Sequence, residues 1–386
     1  MEQLLNDGWQ FCKLPLGSTL EDVSNAALQA VDLPHDFLIE NENDLYETTD
    51  AWYLRTLDVP ESWCASCVLV RFDGVYMDCD VLLNGHIVCT HHYGYTAFDV
   101  DLTSRLLVGR NTLAVHIRHQ SPNSRWYSGA GIYRDVTLHV LPKRHIPLDG
   151  VYVTTTHELE SWTMTIDTEL CGVKDNSVLT HVLLDGDVPV CDVTVEAAGD
   201  HANAVMQVLS PKLWSPDAPN VYTLQTMLGN QVIRQNVGFR DLTFTADRGL
   251  LVNGAPVKLH GVCLHHDLGC LGSAFHEKAM RRQLRAMRQM GVNALRTSHN
   301  PPAKQVMDLC DELGIFVVDE AFDMWLRAKT PFDYARFFPT DMPSDVAAWV
   351  RRDRNHPSLL MWSIGNEILD THLDESAQQV TCDLCE

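Results

Sequence analysis

The sequence predicts a multidomain protein in which two all-β sandwiches precede an array of alternating strands and helices. Short apolar strands broken by turns run to about residue 145, and a second strand-rich block follows to about residue 243. After residue 244 strand and helix patterns alternate four times, which is typical of parallel βα units. We therefore predict domains at residues 1–145, 146–243 and 244–386, each large enough to have its own core.

The first two blocks are predicted to be sandwiches because their strands are short and regularly spaced. Asn84 and Gly85 directly follow the strand pattern of residues 80–83 (Asp-Val-Leu-Leu), and Asn-Gly between apolar strands is the strongest short-range signal for a β-hairpin. Pro142 and Pro147 bracket a predicted linker. The strand-rich block after them has about 95 residues, which suits an immunoglobulin-like sandwich.

The third block changes from the strand period to the helix period. Its predicted strands are residues 257–262, 293–296, 315–318 and 359–364, and its predicted helices are one with Met280, Leu284 and Met287 on its apolar face, one begun by Pro301 and Pro302, and one over residues 344–354. These strands are apolar on both faces, as in a parallel sheet that is covered on both sides.

Polar side chains gather where each predicted strand of the third block ends. They are His265, His266 and Asp267 after the first strand, Ser298, His299 and Asn300 after the second, Asp319, Glu320 and Asp323 after the third, and Asn366 and Glu367 after the fourth. The carboxyl ends of parallel βα strands form one rim, where barrel enzymes place their active sites. We therefore predict a catalytic site at this rim.

Glu367 is the predicted general acid. It follows a strand that contains Trp362, and a carboxyl group at an apolar rim is expected to have its pKa raised by desolvation. The alternative is a structural role, in which Glu367 caps a helix or pairs with Arg296. Arg296 is itself predicted to pair with Glu320 and to orient the rim.

Five further residues are predicted to bind a substrate. Asn366 offers an amide to a hydroxyl beside the reacting centre, and His299 can hydrogen-bond another hydroxyl. His265 and Asp267 form a candidate hydroxyl-binding pair, and Trp325 is a candidate platform for stacking on a sugar. The alternatives are structural: a turn for Asn366, satisfied buried positions for the histidines, and a core position for Trp325.

Composition excludes several classes of partner and cofactor. A formal net charge of −22 argues against nucleic acids and anionic membranes as partners, and no apolar run approaches the ~18–20 residues of a membrane span. No Gly-rich nucleotide loop or Gly-x-Ser-x-Gly elbow is present. Cys64 and Cys67 lie far along the sequence from Cys382 and Cys385, so we predict no structural metal.

The N-terminal residues lack the basic region and apolar stretch of a signal peptide. The twelve cysteines are spread along the chain, which is typical of free thiols in a reducing compartment. We therefore expect a cytoplasmic protein.

Four ordered segments resemble glycoside hydrolase family 2, the group of β-galactosidases and β-glucuronidases. They are residues 125–134 (RWYSGAGIYR), 238–240 (GFR), 296–302 (RTSHNPP), and the stretch from Arg354-Asn355-His356-Pro357 to Asn366-Glu367. The resemblance covers essentially the whole chain and corresponds to the N-terminal portion of the family. It implies a jelly-roll sugar-binding domain, an immunoglobulin-like domain and the first half of a (β/α)8 TIM barrel, with strands one to four.

The resemblance also implies roles for the rim residues. Glu367 would be the acid/base, Asn366 would contact the sugar 2-hydroxyl, and His299 and Asp267 would bind the glycone. The mechanism would be retaining, with two carboxyl groups ~5–5.5 Å apart and a glycosyl-enzyme intermediate. Residues 261–269 look most similar to β-galactosidases, while β-glucuronidase and β-mannosidase stay open. Some relatives use Mg²⁺, although no cofactor is fixed by the sequence.

In the family, the nucleophilic Glu follows a later barrel strand than those predicted here. We therefore expect the 386 residues to be a fragment, a truncated product or one half of a split enzyme, inactive alone. The expected partners are a β-galactoside and either a complementing C-terminal half or further copies of the chain. The alternative from another class is a non-catalytic carbohydrate-binding protein.

Overall fold

The first part of the chain is a sandwich of two antiparallel sheets. The computed structural model describes residues 1–159, 161–174, 177–197, 199–373 and 375–385. The strands here are β1 (Glu2–Leu4), β2 (Trp9–Leu14), β3 (Gln29–Val31), β4 (Thr49–Val59), β5 (Cys67–Phe72), β6 (Val75–Tyr76), β7 (Cys79–Leu83), β8 (His86–His91), β9 (Phe98–Asp101), β10 (Gly109–His119), β11 (Gly131–Ile132) and β12 (Val136–Leu141). One short helix, α1 (Leu20–Ser24), and two 3-10 helices, Phe37–Glu40 and Glu61–Ala65, complete it.

The two sheets of this sandwich have the strand orders β1-β12-β5-β9 and β3-β2-β4-β10-β7-β8. Their inward side chains, among them Phe11, Phe72 and Val115, form one apolar core. The predicted hairpin is confirmed, since β7 and β8 pair across Asn84 and Gly85. Both residues have positive φ angles, 51° and 84°, as the tight hairpin turn requires.

The second part is a smaller sandwich with its own core. Its strands are β13 (Val151–Glu158), β14 (Ser161–Glu169), β15 (Ser177–Asp185), β16 (Val188–Ala197), β17 (His201–Leu209), β18 (Trp214–Ser215), β19 (Ala218–Pro219), β20 (Tyr222–Leu228) and β21 (Gln231–Val237). Sheet β13-β14-β17 faces sheet β16-β15-β20-β21, and Trp162, Leu179, Leu224 and Phe239 pack between them. Buried side chains alternate with exposed ones along β17 and with half-buried ones along β20, so each sheet has one face on the core.

The third part contains a parallel sheet with flanking helices. Its elements are β22 (Leu242–Thr245), β23 (Gly249–Val252), β24 (Ala255–Pro256), β25 (Gly261–Leu264), α2 (Glu277–Gln289), β26 (Ala294–Thr297), α3 (Lys304–Leu313), β27 (Phe316–Glu320), α4 (Phe338–Asp353), β28 (Leu359–Ser363), α5 (Asp370–Leu373) and α6 (Ser376–Cys385), with 3-10 helices at Gly269–Leu271 and Tyr334–Arg336. Strands β25, β26, β27 and β28 are parallel neighbours in sequence order.

Among all the residues that the structure describes, no helix is long and apolar enough to cross a membrane.

Two predicted boundaries of the third part were wrong. The first parallel strand begins at Gly261 rather than at residue 257, because Ala255–Pro256 instead pairs back on β23. Helix α4 begins at Phe338, six residues before the predicted start. The sequence did not signal this start because Pro343 lies inside the helix, where proline usually indicates a break.

The first sandwich packs directly on the polar rim of the parallel sheet. Tyr93 contacts Phe322 and Tyr334 with ring centroids 5.2 and 4.2 Å away, and its hydroxyl donates to the Ala321 carbonyl. The buried Arg134 guanidinium donates to the carbonyl of Pro301, at 2.9 Å. This interface fixes a loop of the first sandwich over the ends of the strands.

Gly314 provides a test of how α3 ends. It has φ 68° after the last helical residue, and an added Cβ would lie 2.2 Å from the Pro216 carbonyl oxygen. We expect Gly314→Ala to lower the free energy of unfolding by about 2 kcal/mol or more, because strain and a backbone clash add. Gly249→Ala is the matched control in urea unfolding, since Gly249 has the same φ but open space around it. Equal losses in both variants would contradict the clash.

Candidate active site

The carboxyl end of the parallel sheet carries the predicted polar cluster. His265 directly follows β25, Glu320 is the last residue of β27, and Asn366 and Glu367 lie just beyond β28. Because these strands are parallel neighbours, their ends lie side by side. Asp319 was also predicted to lie at the rim, and this prediction was wrong. Its electrostatic partners, Asp353 and Arg352, belong to α4 on the outer side of the sheet.

Glu320 is the buried centre of this rim. One carboxylate oxygen accepts hydrogen bonds from Arg296 Nη2 at 2.7 Å and Ser363 Oγ at 2.6 Å, and the other lies 2.6 Å from His299 Nδ1. The Glu320 side chain has no exposed surface. The predicted pair of Arg296 and Glu320 is therefore confirmed, and three strands are tied together through one carboxylate.

Asn366 is held by a second polar network. Its side-chain oxygen accepts from Arg296 Nη2 at 2.9 Å, and its Nδ2 donates to Asp323 Oδ1 at 2.8 Å. Asp323 also accepts hydrogen bonds from Arg125 and from Lys329. Burial alone would raise the pKa of Asp323, but these hydrogen bonds outweigh it and lower the pKa below the usual value.

Glu367 is exposed rather than desolvated. Its side chain keeps 70% of its surface, and its Oε2 accepts from Arg125 Nη1 at 2.9 Å. The hydrogen bond and the charge of Arg125 lower the pKa of Glu367. The prediction of a pKa raised by desolvation is therefore wrong for this structure, and the ion pair forms with Arg125 rather than Arg296. The backbone of Glu367 has φ 45°, a strained region for a non-glycine residue that is often found at functional sites.

Two predicted histidines form an aromatic cluster with Trp126. The rings of His265 and His299 are 5.6 Å apart, and each lies within 5.4 Å of the Trp126 indole. Trp126 Nε1 has no hydrogen-bond partner among the described residues. Burial lowers the pKa of His265, which keeps the imidazole neutral. Asp267 is partly exposed two residues further on.

His266 faces away from this cluster, as expected for neighbouring residues on an extended chain. Its Nε2 lies 3.0 Å from the Ser128 carbonyl oxygen, and burial lowers its pKa to about 4. His265, His266 and Asp267 therefore do not converge on one point.

Trp325 is placed in the core, which corrects its prediction as a stacking platform. Its side chain is 2% exposed, packs beside Phe338, and donates from Nε1 to the Ile364 carbonyl at 3.0 Å. An aromatic ring enclosed in this way cannot stack on a sugar. The sequence did not distinguish a rim position from a core position for Trp325. The difference depends on how the loop after β27 folds over the sheet, which local sequence does not specify.

We expect Trp325→Phe to lower the free energy of unfolding by about 1–2 kcal/mol, because it removes a buried hydrogen bond and leaves a small cavity. Urea unfolding measures the loss. Trp126→Phe is the control, since its partly exposed indole donates to no described residue. A larger loss for Trp126→Phe than for Trp325→Phe would contradict these placements.

Arg125, Trp126 and Lys329 belong to the rim but were not predicted from the sequence. Arg125 and Trp126 stand in the 125–134 motif, which was assigned only to the first sandwich. Arg125 reaches Asp323 across 198 residues of sequence, and no local pattern predicts such a contact. Its only signal was the unusual density of aromatic, polar and glycine residues in that turn.

Three rim carboxylates, those of Glu320, Asp323 and Glu367, offer few uncommitted oxygens to a divalent cation. The carboxylates of Glu320, Asp323 and Glu367 are each already paired with a guanidinium group, from Arg296 for the first and Arg125 for the other two. A hard cation needs several uncommitted oxygen ligands.

A cluster of two aspartates and one histidine, Asp308, Asp311 and His356, lies on the outer side of the sheet and has the donor atoms of a metal site. Asp311 accepts from His356 Nδ1 at 2.6 Å and from the Ser358 N–H at 2.9 Å, and Asp308 pairs with Lys304. These contacts account for both carboxylates without a metal ion.

Comparison with known proteins places the whole chain in one family. Three sequence models match it in order: the sugar binding domain of glycosyl hydrolases family 2 at residues 3–142, glycosyl hydrolases family 2 at 145–240, and the family 2 TIM barrel domain at 245–381. The β-galactosidase BoGH2A of Bacteroides ovatus is 38% identical over 92% of this chain and 45% of that protein. A putative β-glucuronidase of Formosa agariphila is 32% identical over 98% of this chain and 38% of that protein.

A solved structure agrees with these sequence matches. The crystal structure of a glycosyl hydrolase family 2 member from Bacteroides cellulosilyticus superposes with a TM-score of 0.92 at 32% identity, covering 100% of this chain and 56% of that one. The chain thus spans about half the length of the proteins it matches, or less. All three of its parts match domains of one group of proteins, and the chain belongs to glycoside hydrolase family 2.

Proposed function

We propose that this chain provides the acid/base half of the active site of a retaining β-galactosidase. The observation that carries the proposal is the placement of Asn366 and Glu367 at the end of β28, where Arg296 and Asp323 fix the Asn366 amide from both sides. This support holds the Asn366 amide in place directly beside Glu367, and a site that orients a substrate at its reacting group requires such fixed binding groups.

The roles follow from the chemistry of a retaining enzyme. Glu367 protonates the departing glycosidic oxygen in the first step and removes a proton from water in the second. Asn366 hydrogen-bonds the hydroxyl next to the reacting carbon. His299, His265 and Asp267 bind the other hydroxyls of the glycone, and the face of Trp126 supports the sugar ring.

We propose that the second carboxyl group of the reaction comes from outside these 386 residues. Glu320 and Asp323, the other carboxylates tied into the rim networks, are buried and accept hydrogen bonds from three or more groups. Neither is free to attack a sugar. We propose that further βα units, present in longer members of the family, complete the barrel that β25 to β28 begin and supply the nucleophilic glutamate.

A neutral glycone fits the described rim better than a uronic acid does. Binding a sugar carboxylate requires a basic group with unused charge. Arg125, Arg296 and Lys329 are each paired with a carboxylate of the rim. This favours a galactoside over the glucuronides implied by the names of some relatives.

The test is complementation. We expect this chain, mixed with a polypeptide carrying the remaining βα units of a family 2 β-galactosidase, to hydrolyse an aryl β-D-galactoside, while neither part does so alone. An aryl β-D-glucuronide serves as the matched substrate control. A 2-deoxy-2-fluorogalactoside should label the added polypeptide and leave this chain unlabelled, because the nucleophile lies on the former.

The alternative of a non-catalytic carbohydrate-binding protein predicts a different result. Galactose would then bind to the isolated chain, measured by ligand-observed NMR, and Trp126→Ala would abolish binding without any turnover in the mixture. Preferential cleavage of the glucuronide would overturn the choice of glycone while keeping the reaction type.

A further inference from the structure

Arg125 connects the first sandwich to the proposed acid/base. Its Nη1 donates to Glu367 Oε2 at 2.9 Å, while its Nη2 and Nε donate to the two oxygens of Asp323 at 2.6 and 3.0 Å. Asp323 is nearly fully buried and Glu367 is exposed. The guanidinium group is therefore anchored on a buried carboxylate at one end and holds an exposed carboxylate at the other.

The loop that carries Arg125 is fixed on both sides. Before it, Asn123 accepts from Tyr76 Oη at 3.0 Å and donates to the Gln120 carbonyl at 2.8 Å. After it, Ser128 Oγ donates to Ser124 Oγ at 2.7 Å and accepts from Tyr95 Oη at 3.1 Å. Because this loop is fixed within the first sandwich, the fold determines where the Arg125 side chain lies relative to the rim.

We propose that Arg125 is a positioning residue for Glu367: anchored on Asp323, it holds the Glu367 carboxylate at the rim in the form that acts as base. This inference rests on the proposed function of Glu367. It assigns to the first sandwich a direct part in the chemistry of the barrel, beyond contact with sugar.

The two steps of a retaining reaction respond to Arg125 in opposite ways. In the first step Glu367 gives its proton to the glycosidic oxygen as the C1–O bond breaks and the nucleophile bonds to C1. In the second, the Glu367 carboxylate takes a proton from water as the water oxygen bonds to C1 and releases the nucleophile. A guanidinium contact stabilises the carboxylate, so it keeps Glu367 in the deprotonated form with which the second step begins and opposes the protonation that the first step requires.

The charged groups that face Glu367 come from two elements besides its own. Arg125 belongs to the loop of the first sandwich, and Lys329 and Asp323 belong to the segment after β27. Arg125 is the one that hydrogen-bonds the Glu367 carboxylate, and it is the largest cause of the lowered pKa. Removing it takes away the largest cause and leaves Lys329, whose charge lowers the pKa of Glu367, and Asp323, whose charge raises it.

The experiment is a pH titration of Glu367 in the 386-residue chain, followed by ¹³C NMR of δ-labelled glutamate. The Glu367 signal is identified by its loss in Glu367→Gln. We expect the titration midpoint to lie higher in Arg125→Met than in the unmodified chain, and Arg125→Lys to restore part of the difference. Arg281→Met is the matched control, because Arg281 pairs with Glu277 and Glu312 on α2 and α3, away from the rim.

A second measurement decides the matter if Arg125→Met does not fold. Raising the salt concentration from about 0.05 M to about 1 M screens an exposed ion pair, so the midpoint of Glu367 in the unmodified chain should rise. A midpoint insensitive both to salt and to Arg125→Met would overturn the proposal. The titration needs no turnover: a shifted midpoint with no hydrolysis on complementation would reject the proposed function alone, and hydrolysis with an unshifted midpoint would reject the role of Arg125 alone.

Discussion

Glu367→Gln is expected to slow hydrolysis of alkyl β-galactosides by the complemented enzyme by about 10²–10⁴-fold, the range that general acid catalysis supplies. An alkoxide is a poor leaving group and needs a proton as the C1–O bond breaks. A dinitrophenolate leaves without one, so the first step with dinitrophenyl galactoside should be almost unaffected. The measurement is kcat/KM for both substrates, because this parameter reports the first irreversible step.

The control for this prediction is Glu375→Gln, which changes a glutamate in the described chain beyond the rim. It should leave both kcat/KM values unchanged. Equal slowing of the alkyl and dinitrophenyl substrates in Glu367→Gln would count against the role of general acid. It would point instead to a purely electrostatic or structural part for Glu367.

The lowered pKa of Glu367 does not contradict this role, because it describes the chain without substrate or nucleophile. In a retaining site a second carboxylate lies ~5–5.5 Å from the acid/base, and its negative charge raises the pKa of the acid. Desolvation by bound sugar acts in the same direction. A raised pKa of Glu367 in a complete site would therefore come from groups outside the described rim, while Arg125 dominates within it.

Periodicity was sufficient to predict the four parallel strands of the third part and the three helices between them. The hairpin at Asn84 and Gly85 and the four parallel strands were correctly predicted, because turn chemistry and apolar runs are local properties. The extent of α4 was not, since tertiary packing of Phe338 and Trp349 overrides the proline at position 343. Local rules lose accuracy where a segment is stabilised by partners distant in sequence.

The site was predictable only in part, for the same reason. His265, His299 and Glu367 follow strands of one parallel sheet, so topology alone places them at one rim. Arg125 and Trp126 arrive from the first sandwich through an interface of buried tyrosines that no periodic pattern reveals. Trp325 shows the converse, since its sequence position suggests the rim and its packing places it in the core.

Glu320→Ala is expected to lower the free energy of unfolding by about 3–5 kcal/mol, because it removes one side of a buried charge network. Glu320 has no exposed surface and accepts hydrogen bonds from Arg296 and Ser363, with the His299 imidazole at 2.6 Å. Without it the Arg296 guanidinium loses its closest counter-charge. Urea unfolding of the chain measures the loss, with an unchanged slope showing that the same surface unfolds.

Glu312→Ala is the matched control for this prediction. Glu312 also pairs with an arginine, Arg281, but its side chain is 51% exposed, so its loss should cost less than about 1 kcal/mol. Similar losses for Glu320→Ala and Glu312→Ala would contradict the role of Glu320 as the buried centre of the rim.

The network also predicts a functional effect, because Arg296 holds the Asn366 amide as well as Glu320. Once freed from Glu320, Arg296 no longer orients Asn366, and the complemented Glu320→Ala enzyme should lose activity even under conditions where it remains folded.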